Sequence, residues 1–334
     1  MDKRRKIILD VDTGTDDAMA IIAACLASDK LEILGLTAVQ GNQPLKYTLE
    51  NTLRVAELMG GKVPVYGGCP DPMVQNLSAG RMSNQRLQQY EIVVDGKKVN
   101  VHDEYLDLPP ATIKPQPQHA VSFLVETLRA AEEPITIVAV GPATNVGMAL
   151  RMAPDIAKNI EELVVMGGGV NRVNRTSAAE MNFYMDPEAA HIMLKTGRRT
   201  VILPLDATTS ALFTKEDAQE IIAIGNRPAK FFGELMVHFL ERITLLGISN
   251  NEDPDDHNIA LHDVMCILYL LDPSIITDLR KEKVDVDFGG NFADGQLIVD
   301  FRSYTPRDEE TYVAYGIDKQ KAFKMIKELL HRAD

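Results

Sequence analysis
The sequence predicts an α/β fold: an open, mostly parallel, Rossmann-like sheet with helices on both faces and an added helical rim. Two observations carry this. Short apolar runs alternate with amphipathic stretches through about the first two hundred residues, and such alternation calls for parallel strands whose crossover connections lay helices over both faces. From Lys215 onward the pattern turns mainly helical, which reads as a rim.

In chain order, strands are predicted at residues 7–11, 33–39 and 63–66, with helices at 18–27 and 48–59 between them. Residues 67–117 then break the alternation. This loop-rich insertion, a natural lid, holds a predicted hairpin of 92–94 and 99–101 around Asp95-Gly96 and ends in His102-Asp103-Glu104. The alternation resumes with helices at 120–131, 143–152 and 187–194 and strands at 135–140, 163–166 and 201–205. The rim, near 215–271, comprises helices at 218–224, 229–246 and 262–271, with a polar loop at 250–258. Strands near 284–288 and 297–301 and a last helix at 318–331 complete the chain. No linker or repeat divides it, so residues 1–334 are expected to form one domain.

Composition narrows the function. Of 334 residues, 35 are Lys or Arg and 48 are Asp or Glu, a net charge of −13, which argues against a general grip on nucleic acid or anionic membrane. The longest apolar run, 18–27, has ten residues, and a membrane-spanning helix needs about 20. Lys3 to Lys6 precede an apolar stretch as in a signal peptide, but Asp10 and Asp12 interrupt it. Cys25, Cys69 and Cys266 show no metal-type spacing and no disulfide framework, so a reducing, cytoplasmic location is expected.

The chemistry concentrates in Asp10-Val11-Asp12-Thr13-Gly14-Thr15-Asp16-Asp17, four carboxylates in eight positions at the end of the first strand. Helix capping accounts for Asp16 and Asp17 but leaves Asp10 and Asp12 unexplained. Like charges so close call for a cation. Carboxylates without neighbouring Cys or His favour calcium or magnesium over zinc, and calcium if a distant carboxylate joins them. Asp263, at the start of a helix, is such a donor, and His262 beside it is the residue type for proton transfer near neutral pH. A third element runs from Gly167-Gly168-Gly169 through Asn174 to Glu180-Met181-Asn182. Its amides and carboxylate suit the hydroxyl groups of a sugar, whereas a phosphate loop would need a Lys that is missing. Asp186-Pro187 reads as a helix start.

Taken together, these elements, with Gly41-Asn42 and the Gly141-to-Asn145 turn in the same order, resemble the inosine/uridine-preferring nucleoside hydrolase family over nearly the whole chain. The resemblance implies the nucleoside hydrolase fold and Ca²⁺-dependent cleavage of ribonucleosides to ribose and free base, as in purine and pyrimidine salvage. It implies water on the ion activated by Asp12 as general base, with Asp12, Asp17, Asp263 and the Val140 carbonyl as ligands and Asp10 in support. Asp16, Asn42, Asn174, Glu180 and Asn182 would hold ribose hydroxyls, with Asp263 and His102 also at the substrate and His262 as general acid. A homodimer or homotetramer with no nucleic-acid or membrane partner is implied as well. Three features depart from the family pattern: the Gly-rich flap is here His102-Asp103-Glu104-Tyr105, Met181 replaces an aromatic, and there is no Trp. Two other readings stand beside it. One is a Mg²⁺-dependent phosphatase of the haloacid dehalogenase type with Asp10 as nucleophile; the other is a nucleoside- or sugar-binding protein with little turnover.

Overall fold
The computed structural model describes residues 3–74, 77, 92–94, 97–250, 258–306 and 310–333. The strands are β1 (Arg5–Val11), β2 (Leu31–Ala38), β3 (Val65–Gly67), β4 (Ile92–Val94), β5 (Lys97–Val99), β6 (Ile135–Ala139), β7 (Ile160–Met166), β8 (Arg199–Leu203), β9 (Leu212–Phe213), β10 (Ile259–Ala260), β11 (Ile276–Lys281), β12 (Val284–Val286), β13 (Leu297–Val299) and β14 (Thr311–Ile317). The α-helices are α1 (Thr15–Leu26), α2 (Leu45–Leu58), α3 (Ala120–Ala130), α4 (Thr144–Met152), α5 (Met181–Met185), α6 (Pro187–Leu194), α7 (Leu205–Thr208), α8 (Lys215–Ile222), α9 (Arg227–Leu246), α10 (Val264–Leu271) and α11 (Lys319–Leu330).

Eight strands form one sheet in the order β11-β14-β8-β7-β6-β1-β2-β3. All neighbours pair parallel except β11 with β14. The mostly parallel open sheet is thus as the alternation requires. Strand parity divides the core between its faces. Ile7, Leu9 and Val11 of β1, with Val138, Val164 and Val201 of its neighbours, pack against α1, α2, α9, α10 and α11. Ile8, Ile137, Val165 and Ile202 pack the other way, against α3, α4 and α6. The chain runs β1, β2, β3 outward in one direction and then resumes at β6 on the other flank of β1. That reversal makes the carboxyl ends of β1 and β6 the switch point, where open α/β sheets bind ligands.

Several details differ from the sequence reading. The strands β11 and β14 extend the sheet where none was predicted: β11 is polar and exposed along much of its length, so it lacks an apolar run. The second hairpin strand is Lys97–Val99, because Val94 pairs with Lys97; Asp95-Gly96 lies outside the described residues, as does 251–257 of the predicted polar loop. The helix expected from 262 begins at Val264, leaving His262 and Asp263 just before it. All three cysteines are free. Among the described residues no helix is long and apolar enough to cross a membrane.

Candidate functional site
β1 delivers the aspartate motif to the switch point. The chain turns at Gly14 and starts α1 at Thr15, which brings Asp12, Asp16 and Asp17 together just beyond the strand. Asp17 lies in the first turn of α1, and its carboxylate accepts the N–H groups of Asp12 and Gly14, both at 3.0 Å, and the Asn42 side-chain amide at 3.1 Å. Asp263 arrives from far along the chain as the residue before α10, which packs against α1. Carboxylate oxygens of Asp16, Asp17 and Asp263 all lie within 4.8 Å of one another. Asp12 adjoins this trio. Its Oδ2 accepts the Asn42 N–H at 2.6 Å, and its carboxylate fills space left by two glycines: a Cβ on Gly41 would fall 2.1 Å from Oδ2 and one on Gly141 2.6 Å from Oδ1.

The electrostatics of this cluster suit a bound positive charge. Burial, then the charge of Asp17, holds the Asp12 carboxyl well above the ordinary carboxylate range. Burial, then Asp16 and Asp17, does the same to Asp263, and burial with Asp16 pushes Asp17 up to about 7. The charges acting on these groups are one another's, and Asp16 Oδ1 is buried with no hydrogen-bond partner. An all-oxygen donor set with surplus negative charge fits a hard cation. Asp10 sits deeper, fully buried, where Thr37 Oγ1 and Asn145 Nδ2 donate to Oδ1 at 2.5 and 2.8 Å. Asn145 also donates to the Ala38 carbonyl, so the Gly141-to-Asn145 turn braces the strand ends beneath the cluster.

The opposite wall comes from the chain after β7. Glu180 precedes α5 and caps it, accepting N–H groups of Gly168 at 2.7 Å, Asn182 at 2.8 Å and Phe183 at 3.2 Å. Burial pushes its carboxyl up to about 7 against those hydrogen bonds. Asn182 Nδ2 donates to the carbonyls of Val140 (2.7 Å) and Met166 (3.1 Å), and Asn174 Oδ1 accepts the Met181 N–H. His262 Nδ1 lies 2.7 Å from Thr208 Oγ1 on α7, and burial lowers its pKa. His102 is fixed at the start of α1: its Nδ1 accepts the Thr15 N–H at 3.2 Å, so the ring proton is on Nε2.

One cavity of about 1230 Å³ joins these groups. Asp12, Asp16, Asn42, His102, Val140, Asn174, Glu180, Asn182, His262 and Asp263 all line it, while Asp17 stands behind the lining. The volume exceeds the roughly 300–1000 Å³ of ordinary small-molecule sites, so a nucleoside-sized ligand fits with room to spare. Sequence reasoning missed several contributors. Phe239, Ile243 and Leu246 of α9 supply an apolar side; the sequence marked 229–246 only as a helix of the rim. Thr208 and Gln43, whose Nε2 donates to the His102 carbonyl, carry no motif and meet their partners only through the fold.

Buried carboxylates, amides and a histidine around one cavity at the switch point of an open parallel sheet define an α/β enzyme acting on a small, hydroxyl-rich ligand. The sequence profile described as inosine-uridine preferring nucleoside hydrolase matches residues 7–324. The chain is 36% identical over 329 residues to the pyrimidine-specific ribonucleoside hydrolase RihA of Enterobacter sp. (strain 638), covering 97% of each chain. To the protein of that name from Escherichia coli O1:K1 / APEC it is 36% identical over 319 residues, 94% of each. Among solved structures, the plant nucleoside hydrolase PpNRh1 superposes with a TM-score of 0.80 at 26% identity, over 98% of this chain and 99% of that one. A purine-preferring ribonucleoside hydrolase from Gardnerella vaginalis gives 0.81 at 24% identity, over 98% and 100%, a likeness of fold. This chain belongs to the inosine-uridine preferring nucleoside hydrolase family, and its reaction is the hydrolysis of ribonucleosides. The phosphatase reading falls with that assignment. Asp10, its nucleophile, is fully buried beneath the cavity, not at its surface.

Proposed function
We propose that this chain hydrolyses pyrimidine ribonucleosides to ribose and free base, with Ca²⁺ as its ion, Asp12 as general base and His262 as general acid. The observation that carries the reading is that Asp12 and Asp16, Asn42, Asn174 with Glu180 and Asn182, and His262 with Asp263, from separate motifs, line one cavity. The pyrimidine preference rests on the relatives at 36% identity, which are pyrimidine-specific ribonucleoside hydrolases.

Asp12, Asp17, Asp263 and the Val140 carbonyl would hold the ion. When bound, it supplies positive charge that offsets the repulsion of the cluster and eases deprotonation of water. Asp12, its carboxylate held by the Asn42 N–H and by the clearance at Gly41 and Gly141, takes the proton of the attacking water. Asp16, Asp263, Asn42, Asn174, Glu180 and Asn182 hold the ribose hydroxyls, the carboxylates accepting and the amides doing both. As the bond to the base breaks, positive charge grows on the sugar ring, and the buried carboxylates beneath it stabilise that charge. As the imidazolium, with Nδ1–H donating to the Thr208 hydroxyl oxygen, His262 gives its Nε2 proton to the departing base and returns to the neutral ring, so the base need not leave as an anion. His102 covers the site from the flap in the insertion near 67–117. The resemblance further supports a cytoplasmic homodimer or homotetramer.

Base release from uridine, cytidine, inosine, adenosine and nicotinamide riboside, with Ca²⁺ and after chelation, tests the reading. Chelator-sensitive release, fastest from uridine and cytidine, is expected. Inosine as the best substrate would overturn the base preference alone; no release from any riboside by folded, Ca²⁺-loaded protein would overturn the whole.

A further inference from the structure
Two consecutive flap residues face opposite ways. His102 lines the cavity, with its ring centroid 5.8 Å from that of Phe239 on α9. Asp103 turns outward and is gripped by the same helix: Arg242 Nη2 donates to its Oδ1 at 2.6 Å, and His238 Nε2 lies 2.8 Å from its Oδ2. His238 and Arg242 are one helical turn apart, 3.2 Å between Nε2 and Nε, and they bracket Phe239. A single carboxylate therefore joins the flap to the helix whose Phe239, Ile243 and Leu246 form the apolar side of the cavity.

We propose that Asp103 is a positioning residue: it latches residues 100–104 to α9, so that His102 and Phe239 close over the base as one wall. This rests on the reading above, and it places the base between His262 and that wall. The Asp103 side chain is 41% exposed and that of Arg242 22%, so the latch is partial, biasing closed over open by about fivefold. Because a ribonucleoside is neutral, the ion pair is felt through the flap and not through substrate charge.

Steady-state kinetics on uridine with the Ca²⁺-loaded full chain test it. Asp103→Asn is expected to raise KM about two- to fivefold with kcat within about twofold, Asp103→Glu to recover most of the loss, and Arg242→Met to add nothing to Asp103→Asn. Wild-type KM should rise with ionic strength, and that of Asp103→Asn should not. The chain has no Trp, so Tyr105→Trp, at a ring that meets Tyr47 edge-on at 4.9 Å, gives a lone reporter on the flap. Acrylamide should quench it more readily once Asp103→Asn is added. That readout holds even if no riboside is cleaved, which separates failure of the latch from failure of the hydrolase reading. Unchanged KM and quenching would overturn the proposal, as would a fall in kcat and Tm with quenching unaltered.

Discussion
The two ends of the parallel sheet bury carboxylates by opposite means. At the amino ends of the strands, Glu162 of β7, 4% exposed, receives Arg5 of β1 at 3.1 Å, Arg199 of β8 at 2.8 Å and the Tyr269 hydroxyl at 2.9 Å. At the carboxyl ends, Asp12, Asp16, Asp17 and Asp263 are as deeply buried, and the charges that bear on them are negative. A carboxylate that serves the fold brings its cations in the sequence; one that serves chemistry leaves that place for a ligand.

The comparison can be broken most sharply at Asp12. Asp12→Asn is expected to cut base release by about 10³-fold while leaving Tm equal or slightly higher, because one of several like charges is lost. Retained turnover, followed by absorbance, would remove Asp12 from the proton transfer. His262→Ala should cost about a hundredfold on uridine and under about tenfold on a nitrophenyl riboside, whose leaving group needs no proton. Equal losses on both would make His262 a positioning group.

Stability against pH probes the cluster as a whole. Without a cation, Asp10 and Asp17 titrate at about 7 in the fold against an ordinary 3.8. The folded form thus holds its protons more tightly than the unfolded chain, so their contribution is full below pH 3.8 and lost as pH rises through about 7. Urea midpoints of chelated protein should fall between about pH 4 and 7, and Ca²⁺ at a hundred times its Kd should restore about 2.7 kcal/mol at the upper end. A flat profile would mean that the fold neutralises the cluster by itself. Glu162→Gln addresses the other end: with the Arg5 and Arg199 side chains 35% and 40% exposed, it should destabilise by about 2 kcal/mol and spare kcat. Lost activity at unchanged stability would reverse the assigned roles of the two ends.

How much was legible in advance follows the same division. The layers could be read because doubly buried strands such as β1, β6 and β7 are near-continuous apolar runs. The strand β11, half of it exposed and four of its six residues polar, could not, and its partner β14 was missed with it. In the site, local motifs exposed Asp12, Asp17, Asn174, Glu180 and the His262-Asp263 pair, since each chemistry crowds into a few positions. Thr208 and Phe239 each meet their partners across long stretches of chain and nothing local marks them, while Asp103 stood out in the altered flap but its partners on α9 did not.

Asp263 also sets a timetable. Asp12, Asp16 and Asp17 are synthesised about 250 residues ahead of α10, which packs against α1. At ~5–20 residues per second, the nascent chain spends roughly 12–50 s with three of the four acids made and the fourth still to come. Until α10 docks, the acidic end of β1 stays open to water and is spared the charge of Asp263, so the site closes well after its first three acids are made.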